Sequence, residues 1–244
     1  MRLTFLGTGS AMPDGNRVQT GLLLEDGDRT LLVDVGSGVL HRLARTEVGY
    51  EGVDTVLLTH HHLDHVSDLM PLLKARWLAG EESLAVVGPT GTRDLIDGLL
   101  DVHDYVQGRI DVDVREVEPG SFSVAGFDVD AMAVRHSMPC LAYRFDDVVT
   151  YSGDTEAFGD LADFAAEGDV LVHDCSFPDE VDVSNHPTPT ALGAALEGRA
   201  IDDLYLTHLY PHTNGRHEEM RATLAEHFDG DVQFARDGTT VSLD

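Results

Sequence analysis

Residues 57–68 read LLTHHHLDHVSD, and no other stretch limits the fold so tightly. Four histidines and an aspartate fall within six positions: His60, His61, His62, Asp64 and His65. The short apolar run Thr55–Thr59 leads in, and a segment with helical spacing follows. The cluster therefore sits where a strand ends, with the sheet setting the backbone direction and the loop beyond free to turn. His60 and His62, two apart in an extended segment, can point to the same side, and His61 then points away. Asp64 and His65 open the next helix and can aim at a neighbouring point. One stretch can thus supply two ligands to each of two adjacent metal ions, and imidazole with carboxylate suits zinc, manganese or iron. The plainer reading, a surface chelator without catalysis, fits poorly with so specific a spacing at a strand–loop–helix junction.

Four ligands do not complete two sites, so other parts of the chain have to contribute. Candidates stand at the ends of further strand-like runs. His136 follows 127–135, Asp154 lies in Tyr-Ser-Gly-Asp-Thr, His208 follows 204–207, and His173 and Asp174 follow Val170–Val172. Singly, His136 and His208 would be ordinary hydrogen-bonded histidines and Asp154 a turn residue. Their weight comes from combination with 60–65. His61 is expected to orient its neighbours or pack. His41, His103, His217 and His227 lie in helix-like segments and are assigned no chemistry.

Strand-like and helix-like segments alternate along the chain. Strands are expected at 3–6, 22–25, 30–35, 55–59, 84–87, 112–117, 122–134, 141–145, 148–151, 170–173, 204–207, 232–235 and 240–243. Helices are expected at 37–47, 65–79, 90–106, 157–166, 189–199 and 217–227. Asp26-Gly27-Asp28 marks a hairpin. This pattern predicts a single α/β domain over 1–244, with two sheets face to face and helices outside. No apolar run nears the ~20 residues of a membrane span. The start, MRLTFLGTGS, lacks a signal-peptide pattern, so a cytoplasmic protein is expected. Two cysteines, Cys140 and Cys175, make neither a disulfide framework nor a Cys-rich zinc knuckle.

Charge bears on the partner. Asp and Glu number 44 against 16 Lys and Arg, a formal net charge of −28, and Lys74 is the one lysine. The acids are spread along the chain, as for a solvated acidic surface. In ~1 M salt the Debye length shrinks to ~3 Å and self-repulsion is largely screened, which points to a halophilic, salt-rich cytoplasm. The same charge weighs against nucleic acid, whose binding draws on basic patches.

His60-x-His62-x-Asp64-His65 resembles the signature of the metallo-β-lactamase superfamily. Within it, the chain is similar to the ribonuclease Z branch and its small phosphodiesterase relatives over nearly its whole length. Phe5–Pro13 resembles that branch's opening strand and loop, and Asp34-Val35-Gly36-Ser37-Gly38 its acidic-glycine turn. His136 with Leu141–Phe145 behind it, Ser152-Gly153-Asp154-Thr155, His173–Phe177, His186-Pro187-Thr188 and Leu206-Thr207-His208 resemble its later segments, in the same order. The resemblance implies a four-layer αββα sandwich holding two divalent ions, zinc by expectation, with manganese or iron equally suited to the donors. His60, His62 and His136 would hold one ion and Asp64, His65 and His208 the other. Asp154 would bridge them, with a hydroxide between the ions as nucleophile. It also implies that His186 protonates the leaving group, the alternative being a cap on the helix near Thr188. Asp64 would help position the hydroxide, and Asp34 would orient a ligand. His212 either touches substrate or sits in a polar loop.

Departures from the branch bear on substrate. Its tRNA-processing members carry a long arm, commonly between the third ligand and the bridging aspartate. Here only the 17 residues 137–153 separate His136 from Asp154. After His208 comes Leu-Tyr-Pro-His, where that branch has a serine- and arginine-containing run. The leading expectation is hydrolysis of small or cyclic phosphodiesters. The alternatives are a tRNA 3′ endonuclease, an ester, lactone or thioester hydrolase of the same fold, and a metal-stabilised binding or sensor protein without turnover. Relatives are often homodimers.

Overall fold

The computed structural model describes residues 1–243 apart from 167, 169 and 182. In chain order the strands are β1 (Arg2–Gly7), β2 (Gly21–Asp26), β3 (Arg29–Val33), β4 (Thr55–Leu57), β5 (Ser83–Gly88), β6 (Asp111–Glu116), β7 (Gly120–Val124), β8 (Phe127–Ala133), β9 (Leu141–Phe145), β10 (Val149–Tyr151), β11 (Val170–Asp174), β12 (Asp203–Thr207), β13 (Asp231–Phe234) and β14 (Thr240–Ser242). The helices are α1 (Val39–Leu43), α2 (Leu63–Val66), α3 (Leu69–Ala79), α4 (Thr92–Val102), α5 (Gly159–Ala165), α6 (Pro189–Leu196) and α7 (His217–Leu224). No helix among the described residues is long and apolar enough to cross a membrane.

Two seven-stranded sheets result, ordered β14-β1-β2-β3-β4-β5-β6 and β13-β12-β11-β10-β9-β8-β7. Each sheet runs antiparallel over three pairings and parallel over the other three. The inner parallel strands have both faces covered, which is why Leu31–Val33 of β3 and Val170–Val172 of β11 are apolar without alternation. In β3, Leu31 and Val33 enter the core between the sheets, while Leu32 faces the helices. In β11, Val170 and Val172 enter the same central core, and Leu171 packs on the far side with α6 and α7 residues such as Leu192 and Leu224. The four-layer αββα sandwich is thus present, as expected.

The helices expected at 37–47 and 90–106 shorten to α1 and α4, and two further segments depart in kind from their expected form. The run 122–134 is not one strand. It folds into the β7–β8 hairpin, with Val124 opposite Phe127 across a two-residue turn. Ala125 and Gly126 occupy it at φ 49° and 80°, the geometry that twists with the strands, and Ala-Gly is a weak signal for it. The helix expected at 65–79 breaks at Ser67-Asp68, where the Asp68 carboxylate accepts hydrogen bonds from the N–H groups of Gly38 and Leu40 at 2.8 and 3.0 Å. That break separates the short α2, which carries Asp64 and His65, from α3.

On α3 the apolar spacing also misleads at one turn. Leu78 is 68 % exposed, whereas Arg76 is buried. The Arg76 guanidinium donates to the carbonyls of Tyr50, Glu51 and Ser83 at 2.8–2.9 Å, tying the helix end to a loop and to the start of β5. Arg76→Leu leaves three carbonyls without a donor. The expected loss is about 2–4 kcal/mol in urea denaturation, and a change below 0.5 kcal/mol would show the network to be dispensable.

Candidate metal centre

The parallel strands of both sheets deliver their C-terminal ends to one edge of the sandwich, where open α/β sheets commonly bind ligands. β3 leads into Asp34, β4 into His60, β10 into Asp154, β11 ends on Asp174, and β12 leads into His208. Asp34 and His208 leave their strands with left-handed backbone, at φ 58° and 55°. Such a conformation costs a non-glycine residue about 1–2 kcal/mol and persists only where the surroundings hold it. Close packing below the loop holds it here: Val35 N–H bonds the His65 carbonyl at 2.7 Å, and a Cβ on Gly36 would lie 2.0 Å from the Asp64 carbonyl oxygen.

Two donor groups form at this edge. His60, His62, His136 and Asp154 make one, and Asp64, His65, Asp154 and His208 the other, each with donor atoms within 4.8 Å of one another. In the first, His62 Nδ1 lies 3.1 Å from both His60 Nε2 and His136 Nε2, and Asp154 Oδ2 is 3.7 Å from His60 Nε2. In the second, Asp64 Oδ2 and Asp154 Oδ2 lie 3.1 and 3.2 Å from His208 Nε2, and Asp154 Oδ1 is 3.3 Å from His65 Nε2. All seven positions expected as ligands are brought together, and Asp154 belongs to both groups.

The outer nitrogens show which way the lone pairs face. His60 Nδ1 bonds Thr59 Oγ1 (3.1 Å), His65 Nδ1 bonds Asp34 Oδ2 (2.8 Å), His208 Nδ1 bonds Ser176 Oγ (2.9 Å) and His136 Nδ1 reaches the Asn185 carbonyl (3.4 Å). An N–H directed outward puts the lone pair of the other nitrogen inward, as metal-binding histidines require. His65 Nε2 and Asp154 Oδ1 are buried without a hydrogen-bond partner, an arrangement that costs about 1–3 kcal/mol for each group and that a cation would relieve. The donor set therefore fits divalent ions.

The electrostatics agree. Burial and the neighbouring His65 push His60 well below the ordinary histidine value. Burial would also lower His65, but Asp154 and Asp34 together hold it well above. Burial would raise Asp154, yet His208, His65 and His60 hold it well below the usual carboxylate range. Asp34 also accepts the N–H and hydroxyl of Thr59, both at 2.8 Å. It thus orients His65 directly and His60 through Thr59. His61 turns away, as expected, and bonds Thr92 Oγ1 at 2.8 Å.

A third group, Asp174, His186 and His208, adjoins the second. Asp174 Oδ2 accepts from His186 Nδ1 at 2.7 Å, and Asp174 Oδ1 accepts from Ser176 Oγ at 2.6 Å. The His186 ring stacks on that of His208, centroids 5.3 Å apart and planes at 14°. Burial lowers the His186 imidazolium, but Asp174 outweighs it and lifts the value to about 9. His173, also a candidate, joins none of these groups; its Nδ1 bonds the Asp174 carbonyl oxygen. Strand alternation explains the choice: period two along this strand separates the two candidates, placing Asp174 on the face of Val170 and Val172 and His173 on the other. Ser176 and Phe177 lie in the segment 173–177 that carries the resemblance, whereas Tyr210 gave no comparable signal. His212 is exposed, on the turn after Tyr210, with its ring 5.3 Å from Phe177.

The family described as Anti-Pycsar protein Apyc1 matches residues 1–228. The ribonuclease Z of Mycobacterium avium (strain 104) is 32% identical, over all of this chain and 99% of its own length. That alignment runs over 280 positions against 244 residues here, so the relative carries inserted residues that this chain lacks. The metallo-beta-lactamase fold protein YhfI of Bacillus subtilis superposes with a TM-score of 0.84 at 26% identity, over 98% of both chains. Human tRNase Z, short form, shares the fold with a TM-score of 0.79 at 22% identity over the whole of both chains.

Proposed function

The chain belongs to the Anti-Pycsar protein Apyc1 family, among the ribonuclease Z-like metallo-hydrolases of the metallo-β-lactamase fold, and from that premise we propose a dinuclear phosphodiesterase for small or cyclic phosphodiesters. His60, His62 and His136 would hold one ion, Asp64, His65 and His208 the second, and Asp154 both. Zinc is the expected metal, with manganese or iron equally compatible with the donors. When bound, such ions would supply a hydroxide nucleophile near neutral pH and positive charge against the phosphoryl oxygens.

The chain's own groups do the rest. Asp34 keeps His65 in one tautomer and one orientation. Asp64 accepts a proton-bearing edge of the attacking water and so fixes its line of approach. His186 is protonated at neutral pH with Nδ1 committed to Asp174, and donates its other proton to the departing alkoxide. That pairing carries the reading: an alkoxide is a poor leaving group and needs a proton, and a charged imidazole stands beside the two donor groups. Similarity to ribonuclease Z supports tRNA 3′ cleavage as a second reading. The short 137–153 segment, filled by β9 and β10, and the net charge of −28 favour the small substrate.

A panel on protein loaded with zinc, manganese or iron tests the proposal. Cyclic nucleotides, cyclic phosphosugars, bis(p-nitrophenyl) phosphate, lactones and precursor tRNA are compared, with metal content measured in parallel. Turnover of the small diesters with two ions per chain is expected. Cleavage of precursor tRNA at the discriminator base, or of lactones alone, would replace the reading.

A further inference from the structure

Asp174 reaches past His186. Its Oδ2 is taken by His186, while its Oδ1 accepts the hydroxyl proton of Ser176 at 2.6 Å. Ser176 Oγ also stands 2.9 Å from His208 Nδ1 and 2.9 Å from the His208 carbonyl oxygen. Asp174, Ser176 and His208 are all buried, so each polar atom there depends on its neighbours for a partner. A serine hydroxyl has one proton to give and two lone pairs to offer. A carboxylate oxygen 2.6 Å away is the strongest claimant to that proton. The lone pairs then face His208 Nδ1, which has to donate its N–H. That leaves the ring's lone pair on Nε2, the atom 3.1 and 3.2 Å from Asp64 Oδ2 and Asp154 Oδ2.

We propose that Ser176 is a positioning residue through which the Asp174 carboxylate fixes the tautomer of His208, so that one buried carboxylate orients both the proton donor and a ligand of the second metal. The inference rests on the dinuclear reading above and deepens it. Without the carboxylate, the Ser176 hydroxyl is free to turn to the His208 carbonyl or to Nδ1 itself. In the second case Nδ1 becomes the acceptor, the ring proton sits on Nε2, and the ion loses its donor. Without the hydroxyl, the nearest remaining acceptor for His208 Nδ1, Asp174 Oδ1, is 3.9 Å away. The backbone sets up the contact. Asp174 ends β11, and the N–H of Cys175 bonds the Thr207 carbonyl at 3.2 Å, which brings Ser176 beside the left-handed His208. Losing such an outer partner of a metal-binding histidine typically costs ~10- to 100-fold in metal affinity.

Stepwise zinc titration against a fluorescent chelator tests this without a substrate. Ser176→Ala should weaken one of the two ions ~10- to 100-fold and leave the other within about twofold. Cobalt-loaded protein identifies that ion: the absorption lost from Ser176→Ala should match that lost from Asp64→Ala, not that lost from His62→Ala. Asp174→Asn should weaken the same ion. Adding it to Ser176→Ala should cost no further affinity, since the route through the hydroxyl is already cut. With both ions saturating, Ser176→Ala should retain the wild-type ratio of alkyl to aryl diester turnover, because Asp174 still holds His186, whereas Asp174→Asn lowers it. An unchanged zinc affinity in Ser176→Ala, equal weakening of both ions, or additive losses in the double variant would overturn the role. A chain that cleaves no diester yet shows the selective, non-additive loss of one ion refutes the phosphodiesterase reading and upholds the role of Ser176.

Discussion

Asp154→Ala is expected to abolish diester hydrolysis, by roughly three orders of magnitude or more. Losing an outer partner such as Asp34 typically costs ~10- to 100-fold in metal affinity or activity. Asp154 is a heavier loss because its two oxygens face His65 on one side and His60 and His208 on the other. Its removal takes a donor from both groups at once and leaves three imidazoles without their shared carboxylate. Metal content should fall below two ions per chain, measured by plasma emission after dialysis against buffered zinc. Asp154→Asn, which keeps the shape, should be almost as inactive, since an amide oxygen lacks the charge that balances two cations. Circular dichroism separates this from misfolding. A folded Asp154→Ala protein with two ions and wild-type turnover would remove the basis of the proposed function.

The second large effect concerns proton delivery. His186→Ala should keep both ions and lose about 10²- to 10⁴-fold in kcat on alkyl diesters, while activated aryl diesters, whose leaving groups need no proton, lose little. The pH profile adds a signed check. An acid works only while protonated, so turnover should fall as pH rises through the His186 value, which Asp174 raises above the ordinary histidine value. Asp174 is the largest of the groups that raise that value against burial, with Asp154 and Asp64 adding to it. Asp174→Asn should therefore move the alkaline limb to lower pH, toward the ordinary histidine range near ~6.5. Equal losses on aryl and alkyl substrates, or an alkaline limb unmoved by Asp174→Asn, would take the donor role from His186.

Much of this molecule could be read locally. The 60–65 spacing at a strand end marks its own ligands, because alternation in the extended segment and the turn into α2 set where each side chain points. The apolar runs of β3 and β11 declare strands covered on both faces. Local signals fail where a distant partner decides. Arg76 is buried because three carbonyls from other segments converge on it, and Leu78 is left outside although its spacing suits a core. The break after Val66 depends on Asp68 reaching the first turn of α1.

The proton-donor pair shows the same division. His186 is visible as one residue of a short loop segment, but most of the charge that lifts it belongs to Asp174, twelve positions earlier at the end of β11. By itself the sequence determined the layered α/β architecture, through its periodicity, and a set of donor candidates at strand ends, which the family resemblance narrowed to seven. Tertiary structure brought Asp154 within reach of both donor groups, as the resemblance implied, and alone decided that Asp174 pairs with His186. Those outcomes depend on distances between separate strands and loops, and such distances are set only when two sheets pack with their parallel ends on one edge.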